Sequence, residues 1–255
     1  MKKIAITIAA VLASTTVFAD PPKEDGQWRG AMAASLALAS GNTKSSSFSI
    51  GADGLRATKE DKVSVFLTSL YGSTEIGNTT QKTANRTRGG ARYDWNLSDR
   101  SFVFGLAELE NDKIANLDSR LSIGAGMGYK VIKEKDTAFD VFGGIGYHTD
   151  KNTVFGLGGR RSSVTTNATE LLLGEESSHK LSDSTSFRQK LTFYPNLSDS
   201  DKNRAQFDAG FVTAIAGGIN FQVSLSNRYS ASVPAGAKKS DLLLLTGVSM
   251  ALGSK

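Results

Sequence analysis

Apolar and polar residues alternate one for one along most of this chain. In RLSIGAGMGYKV, the residues Leu121, Ile123, Ala125, Met127, Tyr129 and Val131 form an apolar row, and Arg120, Ser122, Gly124, Gly126, Gly128 and Lys130 form the other. A period of two over a dozen residues belongs to a strand with one dry face and one wet face. Its glycines do not read as a phosphate-cradling loop, because a dinucleotide fingerprint opens a helix and no helical apolar stripe follows here. INFQVSLSN sets Ile219, Phe221, Val223 and Leu225 against Asn220, Gln222, Ser224 and Ser226. FRQKLTFY sets Phe187, Leu191 and Phe193 against Arg188, Lys190 and Thr192. LLLG at Leu171–Gly174 and DLLLL at Asp241–Leu245 are apolar on both faces, so period alone gives them no orientation.

This pattern predicts about twelve strands, near 28–40, 44–58, 62–74, 84–96, 101–112, 118–133, 137–149, 166–180, 184–196, 203–215, 218–231 and 240–252. After every second strand the turn is tight: TKED, SDR, KEKD, LSDS and IAGG. On the other side EIGNTTQKT, HTDKNTVFGLGGRRSSVTTN, NLSDSDKNR and VPAGAKKSD are longer, NDKIANLD is intermediate and SGNT is tight. An even strand count with short turns on one rim and long loops on the other is the arrangement of an outer-membrane barrel. A soluble β-sandwich also alternates, but its strands cluster near five or six residues, whereas these run about 11 to 14. Tyr71, Tyr93, Tyr129, Tyr147, Tyr194 and Tyr229 all fall near strand ends, and with Trp28 and Trp95 they are expected to form two aromatic girdles. The expected fold is all-β, an antiparallel transmembrane barrel of about 12 strands with both termini periplasmic.

The N-terminus fits export. Lys2 and Lys3, the apolar run Ile4 to Leu12 and the small-residue site Val17-Phe18-Ala19 read as a secretory signal peptide over 1–19, cut before Asp20. The apolar run is short for a membrane anchor. Residues 20–27 read as a flexible periplasmic leader and 28–255 as the barrel. The chain has no cysteine, so an exported fold must hold without disulfides. Losing Lys2 and Lys3 brings the formal net charge from +5 to about +3, too mild and too mixed to argue for nucleic acid.

Charge inside a membrane barrel belongs on the lumen side, since Arg or Lys on the lipid face costs about 2–4 kcal/mol at the midplane. Arg86, Arg88, Arg92 and Asp94 share one face of the fourth strand, and Glu108, Glu110 and Asp112 share one face of the fifth. A three-residue turn Ser98-Asp99-Arg100 is read to set Arg88 opposite Glu108 and Arg86 opposite Glu110; a two-residue turn would send the acids toward lipid. Arg120 extends this network, and Asp140, Arg188, Lys190, Asp208 and Arg228 are further lumen candidates. Such a lining is either a charged pore wall or a self-compensating network that fills the lumen. In the longest loop, the apolar Val154-Phe155-Gly156-Leu157 before Arg160-Arg161 suggests a partial plug with an arginine constriction, a contact with lipopolysaccharide phosphates, or a solvated loop.

Catalytic chemistry is thin. His148 and His179 are placed at opposite rims and cannot share a metal or a relay. No GxSxG elbow occurs. A pair of His148 with Ser162 or Ser163 is the one enzymatic arrangement left open. No cofactor and no metal site is indicated.

Two blocks carry a family resemblance: GNTKSSSFSIGADGLRAT at Gly41–Thr58, and YDWNLSDRSFVFGLAELENDKIANLDSRLSIGAGMGYKVI at Tyr93–Ile132. Through them the chain resembles the salt-induced outer-membrane proteins, a proteobacterial group of unknown function. The resemblance implies an outer-membrane barrel and, by name, a link to salt stress; it supplies no site residues. The terminus SMALGSK lacks the final aromatic residue that most bacterial barrels present to the assembly machinery. The expected role is a narrow diffusion channel for small solutes or ions. The alternatives are a non-conducting envelope barrel that contacts lipopolysaccharide, and, less favoured, a barrel enzyme. The expected partners are outer-membrane lipid, lipopolysaccharide, the barrel-assembly machinery and a small solute.

Overall fold

The computed structural model describes residues 21–39, 44–76, 79–155, 160–233 and 238–253. Twelve strands follow one another: β1 Arg29–Ala39, β2 Lys44–Ala57, β3 Asp61–Ile76, β4 Thr79–Asn96, β5 Ser101–Asp112, β6 Leu117–Lys133, β7 Thr137–Phe155, β8 Arg161–Lys180, β9 Thr185–Tyr194, β10 Arg204–Ala216, β11 Ile219–Ser230 and β12 Ser240–Gly253. Each pairs antiparallel with its neighbours in sequence, and β1 pairs with β12 from Arg29↔Gly253 to Leu36↔Thr246, which closes the barrel. Closure leaves no open sheet edge, as a lipid-embedded sheet requires. Both described chain ends lie at the rim that carries the tight turns. One of these turns is the pair Gly217-Gly218, whose positive φ angles of 62° and 82° match the right-handed twist of a two-residue hairpin.

The outer face is apolar. On β6, Leu121, Ile123, Met127, Tyr129 and Val131 are exposed, and on β12 so are Leu242, Leu244, Val248, Met250 and Leu252. The two stretches without a readable period now have directions. Leu172 and Leu245 are buried while Leu173, Leu242 and Leu244 face outward, and Leu243 packs on Leu70. Trp28, Tyr93, Trp95 and Tyr129 are exposed toward the tight-turn rim, and Tyr71, Tyr147 and Tyr229 toward the other. Tyr129 stands opposite Val141, six residues before Tyr147, so the two rows are about 20 Å apart along the strand. With the rings themselves that approaches the ~25 Å apolar band of an outer-membrane barrel. Tyr194 departs from the expected girdle. It packs inward against the interior phenylalanines, with the Arg204 guanidinium 4.8 Å above its ring.

Two segments expected to be irregular are ordered. The long connection after 149 continues as a β-hairpin whose pairs run from Asp150↔Thr166 to Phe155↔Arg161, so Val154 stands in a strand beyond the rim. Its polar residues satisfy their backbone groups in the ladder, which holds the segment out from the lumen and removes the partial plug. Gly156 and Leu157 lie outside the described residues. Residues 21–27, within the segment 20–27 expected as a flexible leader, are tied down. Gly26 N–H donates to Ala57 O at 2.8 Å, Arg29 pairs with Asp25, and Glu24 reaches Lys133 at 2.8 Å and Lys130 at 3.7 Å. Since β6 stands across the barrel from β1, this leader runs over the tight-turn mouth.

Candidate functional site

The alternation that turns apolar residues outward turns charged residues on each strand from β3 to β11 into the barrel, where most of them meet as ion pairs. Arg86 pairs with Glu110, and Arg88 grips Glu108 with Nε and Nη2, the latter at 2.6 Å. The three-residue turn forms, closed by Leu97 N–H to Ser101 O at 2.8 Å. It places Arg88 opposite Glu110 and Arg86 opposite Asp112, two residues away from the expected register. The faces are unchanged by a two-residue shift, and the long side chains reach the diagonal neighbour one pleat away.

The remaining sequence candidates also face inward. Arg120 forks onto Asp150 at 2.7 and 2.5 Å, Arg188 pairs with Glu176, and Lys190 stands 3.6 Å from the same carboxylate. Arg92 donates to Asp94 at 2.6 Å, and Lys62 lies 3.0 Å from Asp94 and 4.0 Å from Asp140. Asp208 accepts from Ser226 Oγ at 2.6 Å and Gln206 Nε2 at 2.5 Å. Arg228 on β11 reaches Glu110 on β5 at 3.9 Å, a contact spanning the lumen. Arg160 and Arg161 are not part of this cluster; both are exposed at the tip of the β7–β8 hairpin.

Pattern reasoning missed the carboxylates that complete the network. Glu170 takes a two-pronged contact from Arg204, at 3.0 and 2.5 Å, and lies 3.3 Å from His148 Nδ1. Glu176 and Asp150 hold Arg188 and Arg120. Lys62 was hidden at a strand start. The signal for the glutamates was parity: once Leu173 is outward, Glu170 and Glu176 must be inward. His148 is buried between Asp150 and Glu170. Ser162 stands opposite Val154, six residues up the strand from His148 and so about 20 Å away, with Ser163 one step nearer. His179 stands opposite Thr137, eleven residues from His148, and faces Ser177 Oγ at 3.2 Å.

The glycines of GAGMG make room for an aromatic layer. Phe102, Phe104, Phe142 and Leu172 form a buried cluster within the barrel, joined by Leu106 and Tyr194. A Cβ at Gly128 would fall on the Phe102 ring, one at Gly126 on the Phe104 ring and the Gly143 carbonyl, and one at Gly124 on Leu172. Phe104 meets Phe142 edge to face at 5.8 Å, and the Arg92 guanidinium lies 4.3 Å from the Phe104 ring centre and 4.9 Å from that of Phe142. Cations over ring faces are held by the ring quadrupole.

Two chambers lie within the barrel. The one toward the long-hairpin side, about 220 Å³, is lined among others by Arg88, Arg120, His148, Arg204 and Arg228. The one toward the tight-turn side, about 340 Å³, is lined by Asp94, Lys130, Asp140 and, from the leader, Pro21, Pro22 and Glu24. Lys62 and Glu176 line both.

Solved structures share this architecture. The translocator domain of the autotransporter NalP from Neisseria meningitidis is 15% identical, with a TM-score of 0.52 over 88% of this chain and 87% of that one. The COG4313 outer membrane channel from Pseudomonas putida F1 is 13% identical, with a TM-score of 0.50 over 95% of this chain and 100% of that one. The NanC porin is 12% identical, with a TM-score of 0.47 over 88% and 99%. The first two likenesses establish the fold as that of outer-membrane barrels. No curated protein matches the sequence. The model of one family covers residues 32–251, and by that match the chain belongs to the family described as protein of unknown function, DUF481.

Proposed function

We propose that this barrel is a narrow diffusion channel for small solutes or ions, with its mixed-charge interior setting selectivity. The observation that carries the reading is an interior with two hollows, Lys62 and Glu176 being common to the lining of both. A wall of alternating guanidinium and carboxylate groups suits passage of small polar solutes, because most of its charges are already compensated. The similar barrel from Pseudomonas putida is named a channel, which agrees with this role. In this reading the chain is exported by a signal peptide cut before Asp20 and sits in the outer membrane. The tight-turn rim and both ends are periplasmic, and Arg86, Arg88, Arg92, Glu108, Glu110, Arg120, Asp140, Arg188, Lys190, Asp208 and Arg228 line the path.

The test is single-channel recording of the refolded protein in a planar bilayer across a salt gradient. Discrete steps with a reversal potential that moves in Arg88→Ala or Arg120→Ala are expected. Silence from a sample whose heat-modifiable migration proves it folded would overturn the reading. The ion pairs that span the lumen favour a second one, a non-conducting envelope barrel that touches lipopolysaccharide through Arg160 and Arg161. Its signature is stability that depends on lipopolysaccharide without conductance. The salt-stress link implied by the resemblance belongs to either role and is tested by the protein's abundance in cells shifted to high salt.

A further inference from the structure

The chamber on the long-hairpin side is balanced in charge only through carboxylates outside its own lining, Asp150 on Arg120 and Asp94 on Arg92 and Lys62. Of the ionisable residues that line it, eight are Lys or Arg and six are Asp or Glu. Most of the cations are satisfied by carboxylates: Arg88 by Glu108, Arg120 by Asp150, Arg188 by Glu176 and Arg204 by Glu170. Two are not matched this way. Arg228 Nη1 has Glu110 Oε2 at 3.9 Å, beyond hydrogen-bond reach, while Glu110 Oε1 accepts from Arg86. Its Nε and Nη2 are shielded from solvent and have no hydrogen-bond partner. Lys190 shares Glu176 with Arg188 and stays 3.6 Å away. A desolvated guanidinium without an acceptor forfeits its hydrogen bonds, and a planar carboxylate or phosphate is the acceptor that fits its fork.

We propose that this chamber is an anion site, one that takes a small solute bearing a carboxylate or phosphate group, with Arg228 and Lys190 as its recognition cations. The two stand on β11 and β9, two strand spacings apart across β10 and staggered by two residues, hence about 12 Å from each other. Asp208, directly opposite Lys190, has its oxygens taken by Ser226 and Gln206, so an anion is held by the Arg228 and Lys190 donors against the repulsion of that carboxylate. The volume holds on the order of fifteen waters, enough for a small organic acid and too little for a polymer. The inference names the solute class of the channel reading and rests on it for how the solute arrives.

The experiment pairs two readouts on folded protein. Malonate and inorganic phosphate are titrated into micelle-refolded barrel at constant ionic strength held by sodium chloride, and the unfolding midpoint is followed. The midpoint rises with ligand concentration, as any native-state ligand requires. In Arg228→Gln and in Lys190→Gln the apparent affinity falls about tenfold or more, the scale of one lost charge-assisted contact. Bilayer recording across a potassium chloride gradient gives a reversal potential of the chloride-permeable sign, reduced in both variants. Should Arg228→Gln fail to fold, Lys190→Gln alone decides. A wild-type midpoint indifferent to both ligands, or shifted equally in wild type and variants, overturns the anion site while leaving conduction standing. Ligand-dependent stabilisation without conductance keeps the anion site and ends the channel reading.

Discussion

At Gly128, Gly126 and Gly124 the missing side chains are a packing requirement, because Phe102, Phe104 and Leu172 occupy the space each Cβ would take. Overpacking a filled interior costs about 1–3 kcal/mol, and more where the obstacle is backbone, as the Gly143 carbonyl is at Gly126. Gly126→Ala and Gly128→Ala should therefore lower the denaturant midpoint of the refolded barrel by that amount. Gly105→Ala should not, since its Cβ would point outward with nothing within 4 Å. Charge pairs divide in the same way. Glu110 and Arg86 are both under a tenth exposed, so Glu110→Ala strands Arg86 in the interior and should cost about 3–5 kcal/mol in an unfolding titration. Asp183→Ala removes a solvent-exposed partner of Lys180 and should change stability by less than about 1 kcal/mol. Which residues face inward was legible for Arg86 to Asp112 because period two is unbroken there. It was not legible for Glu170 and Glu176, which flank a leucine run apolar on both faces, nor for Tyr194, whose ring is drawn inward by Arg204 and the phenylalanines.

At the scale of the elements, strand number and order followed from apolar beats, and strands ended within a residue or two of expectation wherever the beat stopped at a turn. β4 begins five residues earlier than expected, at Thr79, and the extension of β7 and β8 is the larger exception. Lys151–Val154 and Ser162–Asn167 carry Ser, Thr and Asn on both faces because they leave the apolar band, so the ladder continues with no beat to announce it. The leader escaped notice for a related reason: its hold is made of single polar contacts rather than a pattern. Arg29 keeps the Asp25 carboxyl well below its ordinary range. A depressed folded-state value means that this contact stabilises above the unfolded pKa near 4 and is lost only as pH falls through the folded one. Hydrogen exchange at the Gly26 amide, which bonds Ala57 O, should therefore stay protected from pH 7 down to about 4 after correction for intrinsic rates, and open in stronger acid. Glu24→Gln should leave that amide protected while freeing Pro21 and Pro22 from the mouth, because Lys130 and Lys133 hold only the far end.

For the molecule as a whole, twelve strands enclose more room than interior side chains fill, and the sequence divides the surplus unevenly. Ion pairs line the wall, and Phe102, Phe104, Phe142 and Leu172 form one buried cluster in an interior whose two chambers share Lys62 and Glu176. On the channel reading, the rings of this cluster are expected to narrow the path. Phe104 is the ring to remove. It packs edge to face on Phe142 and lies under the Arg92 guanidinium, so Phe104→Ala deletes the nearest of that cation's ring contacts and leaves it the Phe142 ring at 4.9 Å. The substitution should cost about 3–5 kcal/mol of stability and widen the path by roughly a benzene ring. Single-channel conductance should then rise severalfold, while the reversal potential drifts toward zero as Arg92 loses the nearest of the rings that position it. Phe66→Ala is the control, for Phe66 lines the hairpin-side chamber beneath Arg88, away from the layer. It should enlarge a space that is already open and leave conductance nearly unchanged. Equal conductance in wild type and Phe104→Ala would move the limiting step elsewhere, to the mouth crossed by Glu24, where Glu24→Gln would then be the substitution that raises it.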